Sequence, residues 1–313
     1  MITKRHIKLL LLLAAGLLVA CSPDEPPQPE AQDEICLNAE VQKVMQKAPC
    51  RATTYDNATA LQTEAQFTCA AYEANTLTAY IPTTTVDWNS TAWEFNHGDS
   101  HYYWPLPPTN GGSYPSLDFF AYMPATAPTY INSITYTSAH NVTFGCSSLP
   151  MTNAGQDDLK EFIYGMALGQ NKGNASSGVP LQFRHPFAKI VLQLSPSQAD
   201  IHIDRITFKS IKNNGSYSHD AGWTPSGDAT NLVLTLDHDY SHDDLIGTYI
   251  MIPQNWAGEI EVVATWTDWG EALPHTLTAT KPTTWATGTS YTYTFTIKET
   301  DLIVDTSKFT EQW

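Results

Sequence analysis

Thr289-Ser290-Tyr291-Thr292-Tyr293-Thr294-Phe295-Thr296-Ile297-Lys298 alternates hydroxyl and apolar side chains from Ser290 through Ile297. In an extended chain successive side chains point to opposite faces, so Tyr291, Tyr293, Phe295 and Ile297 share one face and Thr292, Thr294 and Thr296 the other. That is the signature of an antiparallel strand with one face on a core. Working backwards, Glu259-Ile-Glu-Val-Val-Ala-Thr-Trp266, Gly247-Thr-Tyr-Ile-Met-Ile-Pro-Gln254, Asn231-Leu-Val-Leu-Thr-Leu-Asp237, Ile201-His-Ile-Asp-Arg-Ile-Thr-Phe-Lys-Ser-Ile211 and Pro180-Leu-Gln-Phe-Arg-His-Pro-Phe-Ala-Lys-Ile-Val-Leu-Gln-Leu-Ser195 each have strand length and end in turn residues.

The N-terminal half carries the same pattern at Ala65–Tyr72, Leu117–Pro124 and Ser133–Ser138. Two short helices are expected among these strands. One lies within Cys36–Ala48, where Val41, Val44 and Met45 fall on one face; the other is Asp157–Ala167, with Leu159, Phe162, Ile163 and Met166 at helical spacing. Gly169–Gly178, small and polar, marks a boundary. The chain reads as all-β, with two tandem β-sandwich domains joined by Greek-key-like connections, at 52–175 and 176–298, and a tail at 299–313.

The start of the chain says where these domains work. Lys4, Arg5 and Lys8 precede an apolar run, Leu9–Val19, too short for a permanent membrane span. Leu18-Val19-Ala20-Cys21 then has the form of a bacterial lipobox, which makes 1–20 a lipoprotein signal peptide and Cys21 the lipidated mature N-terminus. Each buried lipid methylene adds about 0.8 kcal/mol of membrane affinity, so such a cysteine is an anchor. Residues 21–51 begin with the acidic, proline-rich Ser22–Glu34, a spacer with almost nothing to bury.

Composition removes several functions. A formal net charge of −16 opposes nucleic-acid binding, which needs a basic surface. No nucleophile elbow, phosphate loop or dinucleotide fingerprint is present, and no catalytic residue or cofactor is expected. Asp237-His-Asp-Tyr-Ser-His-Asp-Asp244 gathers carboxylates and imidazoles, but lacks the spacing of a calcium loop or a zinc motif and reads as a solvated acidic turn. His97 and His101 have ligand-pair spacing in a loop without cysteine partners. The expectation is no metal. Cys36, Cys50, Cys69 and Cys146 remain beyond the lipobox and allow three pairings; Cys69 with Cys146 is the candidate disulfide. Trp88 and Trp93, in a polar stretch, are the candidate stacking surface for a glycan.

Taken in order, the lipobox, Arg51-Ala52-Thr53, His101-Tyr-Tyr-Trp-Pro105, Leu117–Thr126, Pro180–Leu194, Tyr249–Gln254 and Trp285–Ile297 resemble the fimbrillin family, the type V pilins and fimbrillin-like lipoproteins of Bacteroidota. The resemblance runs over nearly the whole chain. It implies transthyretin-like sandwiches, delivery to the outer-membrane surface as a lipoprotein, trimming by an arginine-specific protease and polymerisation with other fimbrillin subunits by strand exchange. Arg51 is the only arginine between Arg5 and Arg184, so Arg51-Ala52 is the candidate processing site. An ordinary surface arginine in an uncleaved chain is the other reading. The candidate donor strand is the tail, in which Leu302 and Val304 share one parity and Ile303, Phe309 and Trp313 the other, with a bend expected near Asp305–Lys308. Alternatively the tail completes its own sheet. The matching functional alternative is a lipid-anchored surface protein that binds host or bacterial glycans or proteins without polymerising.

Overall fold

A computed structural model describes residues 33–41, 54–96, 101–108, 111–268 and 271–309. In chain order the first elements are β1 (Leu37–Val41), α1 (Ala58–Glu64), β2 (Gln66–Glu73), β3 (Ala79–Trp88), β4 (Trp93–Phe95) and β5 (Leu117–Met123). There follow β6 (Ile131–Tyr136), β7 (Val142–Cys146), α2 (Asn153–Asp157), β8 (Ile163–Gln170), β9 (Val179–Arg184) and β10 (Ala188–Leu194). The remainder is β11 (Ile201–Ser218), β12 (Gly222–Tyr240), β13 (Leu245–Met251), β14 (Asn255–Trp256), β15 (Glu259–Asp268), β16 (Glu271–Thr280), β17 (Thr283–Thr284), β18 (Ser290–Lys298) and β19 (Asp301–Phe309).

The architecture is the all-β sandwich class read from the alternation. A closed barrel runs β1-β4-β3-β2-β5-β8-β9. Beyond it a four-stranded sheet, β13-β10-β18-β19, faces a six-stranded arrangement, β16-β15-β11-β7-β6 with β12 also on β11. The opening strand lies inside the four-stranded sheet, parallel to β10 and antiparallel to β19. Tyr291, Tyr293, Phe295 and Ile297 are all buried in the core between the two sheets, with Phe208, Trp256 and Ile260. There the polar tips of the aromatics are satisfied: Trp285 Nε1 donates to the Tyr293 hydroxyl at 2.9 Å and Tyr291 donates to the Thr284 carbonyl at 2.8 Å.

Four local readings change. Cys36–Ala48 does not begin as a helix, because Leu37, Ala39 and Val41 alternate with exposed neighbours and pair as β1. Asp157–Ala167 is not a helix: α2 ends at Asp157, a connection follows, and β8 begins at Ile163. Gly169–Gly178 is the turn of the β8–β9 hairpin, with the Asn171 carboxamide oxygen accepting from the amides of Gly173 and Asn174. Pro180–Arg184, assigned by sequence to the second domain, thereby closes the barrel. Asp301–Phe309 of the tail runs as one strand opposite β18, without a bend at 305–308.

The two halves also share structure. β6 and β7, from the N-terminal half, extend the sheet built on β11. A third core of Phe120, Phe144, Phe162, Phe187 and Tyr217 lies where barrel and sheets meet.

The opening strand makes a direct test of this packing. Phe295→Ala is expected to cost about 3–5 kcal/mol in urea unfolding, whereas Thr296→Ala should stay within about 0.5–1 kcal/mol. Equal effects of the two would contradict the assignment of faces.

Candidate functional site

The site of interest is the seat of β1, the described strand ahead of Arg51. Ile35, Leu37, Ala39 and Val41 all point into the barrel core and are 3–6% exposed, while Asn38 and Glu40 face solvent. β1 runs parallel to β9, Leu37 opposite Val179 and Val41 opposite Phe183, and meets β4 at Leu37 and Trp93. Its apolar edge rests on an aromatic floor in which Phe67 lies 4.8 Å from Trp93 and 5.4 Å from Phe183. Backbone bonds hold its N-terminal end: the Ile35 amide donates to the Tyr102 carbonyl and the Val179 amide to the Cys36 carbonyl, both at 2.8 Å. Gly178, at φ +104°, takes a conformation that a side chain would strain, and so delivers β9 alongside β1.

Arg51 and Ala52 lie outside the described residues, as do Cys21 and Trp313. The chain on the far side of Arg51 is firmly held. Tyr55 is 1% exposed, and Asn57 caps α1 by accepting from the Ala60 amide at 3.0 Å. Asp56 takes the ammonium of Lys189 at 3.0 Å, a lysine only 2% exposed. Close by, Glu161 and His185 form a fully buried pair at 2.8 Å. Burial raises the Glu161 carboxyl pKa, opposed by the charge and hydrogen bond of His185. Such a pair is costly to break from one side, because it strands a charge away from water.

The other sequence-derived positions fall as follows. Leu302 and Val304 are buried in the core of their own sheets, and Ile303 is 37% exposed on the opposite face. Phe309 continues the β19 backbone opposite Ser290. Trp93 is 5% exposed, packed on Phe67 and 5.3 Å from Trp88. It therefore presents no open face for a sugar, and Trp88, half-buried, packs on the same barrel core. Cys69 and Cys146 are free thiols, the first in the barrel core and the second in the junction core, so the expected bridge is not made. Burial pushes both thiols upward, Cys146 to about 12, which leaves them unreactive. His101 pairs with Glu34 at 2.6 Å.

Sequence reasoning missed β1 and the Asp56–Lys189 and Glu161–His185 pairs. The alternation of Leu37, Ala39 and Val41 was the available signal for β1. Nothing local announces the pairs, whose members lie 133 and 24 residues apart.

An all-β architecture whose first described strand closes a barrel is what the fold and this site define. The fimbrillin-like family profile matches residues 50–313, and the chain belongs to that family. Among solved structures, a cell adhesion protein of Bacteroides ovatus, described as putative, shares the fold at a TM-score of 0.53, with 15% identity over 88% of this chain and 96% of that one. Its counterpart from Bacteroides uniformis gives 0.50, with 13% identity over 88% and 97%. The tip fimbrial protein Mfa3 of Porphyromonas gingivalis, with a C-terminal truncation, is also similar, at 0.41 and 11% identity over 79% and 94%. No curated protein matches the chain in sequence.

The buried pair gives a second test. His185→Ala is expected to lower stability by about 3–5 kcal/mol in chemical denaturation, and His185→Ala combined with Glu161→Gln to recover part of that loss. Strict additivity of the two substitutions would show that they do not interact.

Proposed function

We propose that this chain is a non-catalytic fimbrial subunit that travels to the outer-membrane surface as a lipoprotein on Cys21. A cut after Arg51 then frees it from lipid and makes it competent to join other subunits and contribute to adhesion. The observation that carries the reading is the position of β1: it precedes Arg51 and closes a barrel by burying Leu37, Ala39 and Val41. A cut at Arg51 severs the covalent link between that strand and the rest of the chain. Loss of β1 leaves the edges of β4 and β9 unpaired above Phe67, Trp93 and Phe183, a template for a strand from another chain. Refilling it returns three or four apolar side chains to the core, each contributing about 1.5–3 kcal/mol when fully buried, besides the backbone ladder.

The tail remains the candidate donor. Its Leu302 and Val304 are engaged at home, Ile303 is 37% exposed, and Phe309 and Trp313 share the parity of Ile303 in the sequence. That home pairing favours the second reading, a lipid-anchored surface adhesin that keeps β1 and β19 and does not polymerise.

N-terminal sequencing of protein recovered from cell surfaces decides between them. The proposal expects mature chains that begin at Ala52 and run as a ladder on unheated gels, with both features lost in Arg51→Ala. Acylated Cys21 on every mature molecule would defeat it and leave the anchored adhesin.

A further inference from the structure

The acidic segment around Asp237 does not stand alone. β11 and β12 pair so that His202 lies opposite Asp239, and on the other side of β11 His202 lies opposite Thr265 of β15. Asp204 is two residues on from His202 and Asp237 two back from Asp239, and both carboxylates lie within 3.7 Å of the His202 ring. A register shift at Ile203/Arg205 draws Asp204 and Asp237 toward the imidazole.

The arrangement about His202 is directional. Its Nδ1 is 2.8 Å from the Asp239 carboxylate, which fixes the ring, and its Nε2 turns to Asp237 at 3.2 Å and Asp204 at 3.7 Å. The remaining oxygen of Asp204 accepts from the Thr265 hydroxyl at 2.9 Å. A carboxylate on one imidazole nitrogen and a metal on the other is how protein histidines are oriented for coordination. The candidate ligand atoms of His202, Asp204 and Asp237 all lie within 4.8 Å of one another. Bonds of about 2.0–2.2 Å to a tetrahedral ion would place them roughly 3.4 Å apart, close to the 3.2 and 3.7 Å that separate Nε2 from the two carboxylates.

Charge supports the same conclusion. Three carboxylates surround one imidazole, and among the described residues no lysine or arginine pairs with them. Arg205 and Lys209, the nearest cations along β11, are taken by Glu259 and Glu261. A divalent cation would offset two of the three negative charges and cross-link β11 to β12. The mixture of one imidazole and two carboxylates suits a borderline first-row ion; calcium prefers six to eight oxygens.

We propose that Nε2 of His202 with the carboxylates of Asp204 and Asp237 forms a surface site for a divalent transition-series cation, Zn²⁺ foremost, with Asp239 as the positioning residue for the imidazole. The site clips the end of the long β11–β12 hairpin and leaves its outer coordination positions open to water or a partner's ligand.

Isothermal titration of untagged protein with zinc chloride tests this. One equivalent should bind saturably, raising the melting temperature as any ligand specific to the folded state does. His202→Ala and Asp237→Asn should each weaken binding at least tenfold, and Asp239→Asn by about ten- to a hundredfold. Asp237 is 84% exposed, so its variant tests coordination rather than folding, and circular dichroism checks each variant. Absence of saturable binding overturns the proposal. So do unchanged affinity in His202→Ala and equal competition by calcium chloride, either of which would mean a diffuse carboxylate cloud.

Discussion

The structure depends on keeping the barrel's backbone paired along the seam that β1 fills. A strand edge buried in a core cannot leave its amides and carbonyls to water, so a seven-strand closure requires a strand between β4 and β9. The chain supplies that strand from its own N-terminal region, and seats it through alternate small and branched side chains, Leu37, Ala39 and Val41, rather than large aromatics. The bulk is on the floor, in Phe67, Trp93 and Phe183. A modest strand over an aromatic floor gives closure without making the seat specific to one sequence, because the ladder bonds are indifferent to side chains.

Other contacts tie the two halves of the molecule together. β6 and β7 carry the N-terminal half into the sheet of the C-terminal half, and Phe144 packs on Phe162 at 4.9 Å and on Tyr217 at 4.8 Å. Immediately after the Arg51 region, Tyr55 and Asp56 are tied in beside the buried Glu161–His185 pair. Hence the chain is anchored on both sides of Arg51, but by different means. Before it, the hold is one strand's worth of ladder and apolar contact; after it, the hold is a capped helix, a buried lysine and a core.

How far this was legible in the sequence follows from the range of each interaction. Tyr291–Ile297 declared its strand because period two was sustained over a full element, and the core agreed. Cys36–Val41 was ambiguous because five residues of alternation sit beside Val44 and Met45, which also satisfy a helical spacing; pairing with β9, more than a hundred residues away, settles the matter. Trp93 in a polar neighbourhood was a candidate for surface stacking as well as for packing, and the alternation of β4 buries it. The cluster at His202 was illegible for the same reason as the buried pairs: the Asp237 segment held half of a donor set, and cross-strand register supplied the other half.

The tail poses the remaining energetic question. β19 forms nine register pairs with β18 and buries Leu302 and Val304, so donating it means giving up a ladder and two core side chains. A β1 seat offers a shorter ladder, five pairs with β9, and three or four apolar positions. On burial alone the two placements are close in free energy, each worth a few side chains at about 1.5–3 kcal/mol. Exchange between near-equal partners is governed by which seats are vacant. While β1 stays in place every tail has only its home edge, and the balance favours the isolated subunit. Removal of β1 would expose a groove with a penalty of its own, and that penalty is set against the β18 edge and the two core side chains a donated tail would uncover. On the proposed function, control of assembly would reside in the N-terminal strand and the cut proposed to release it.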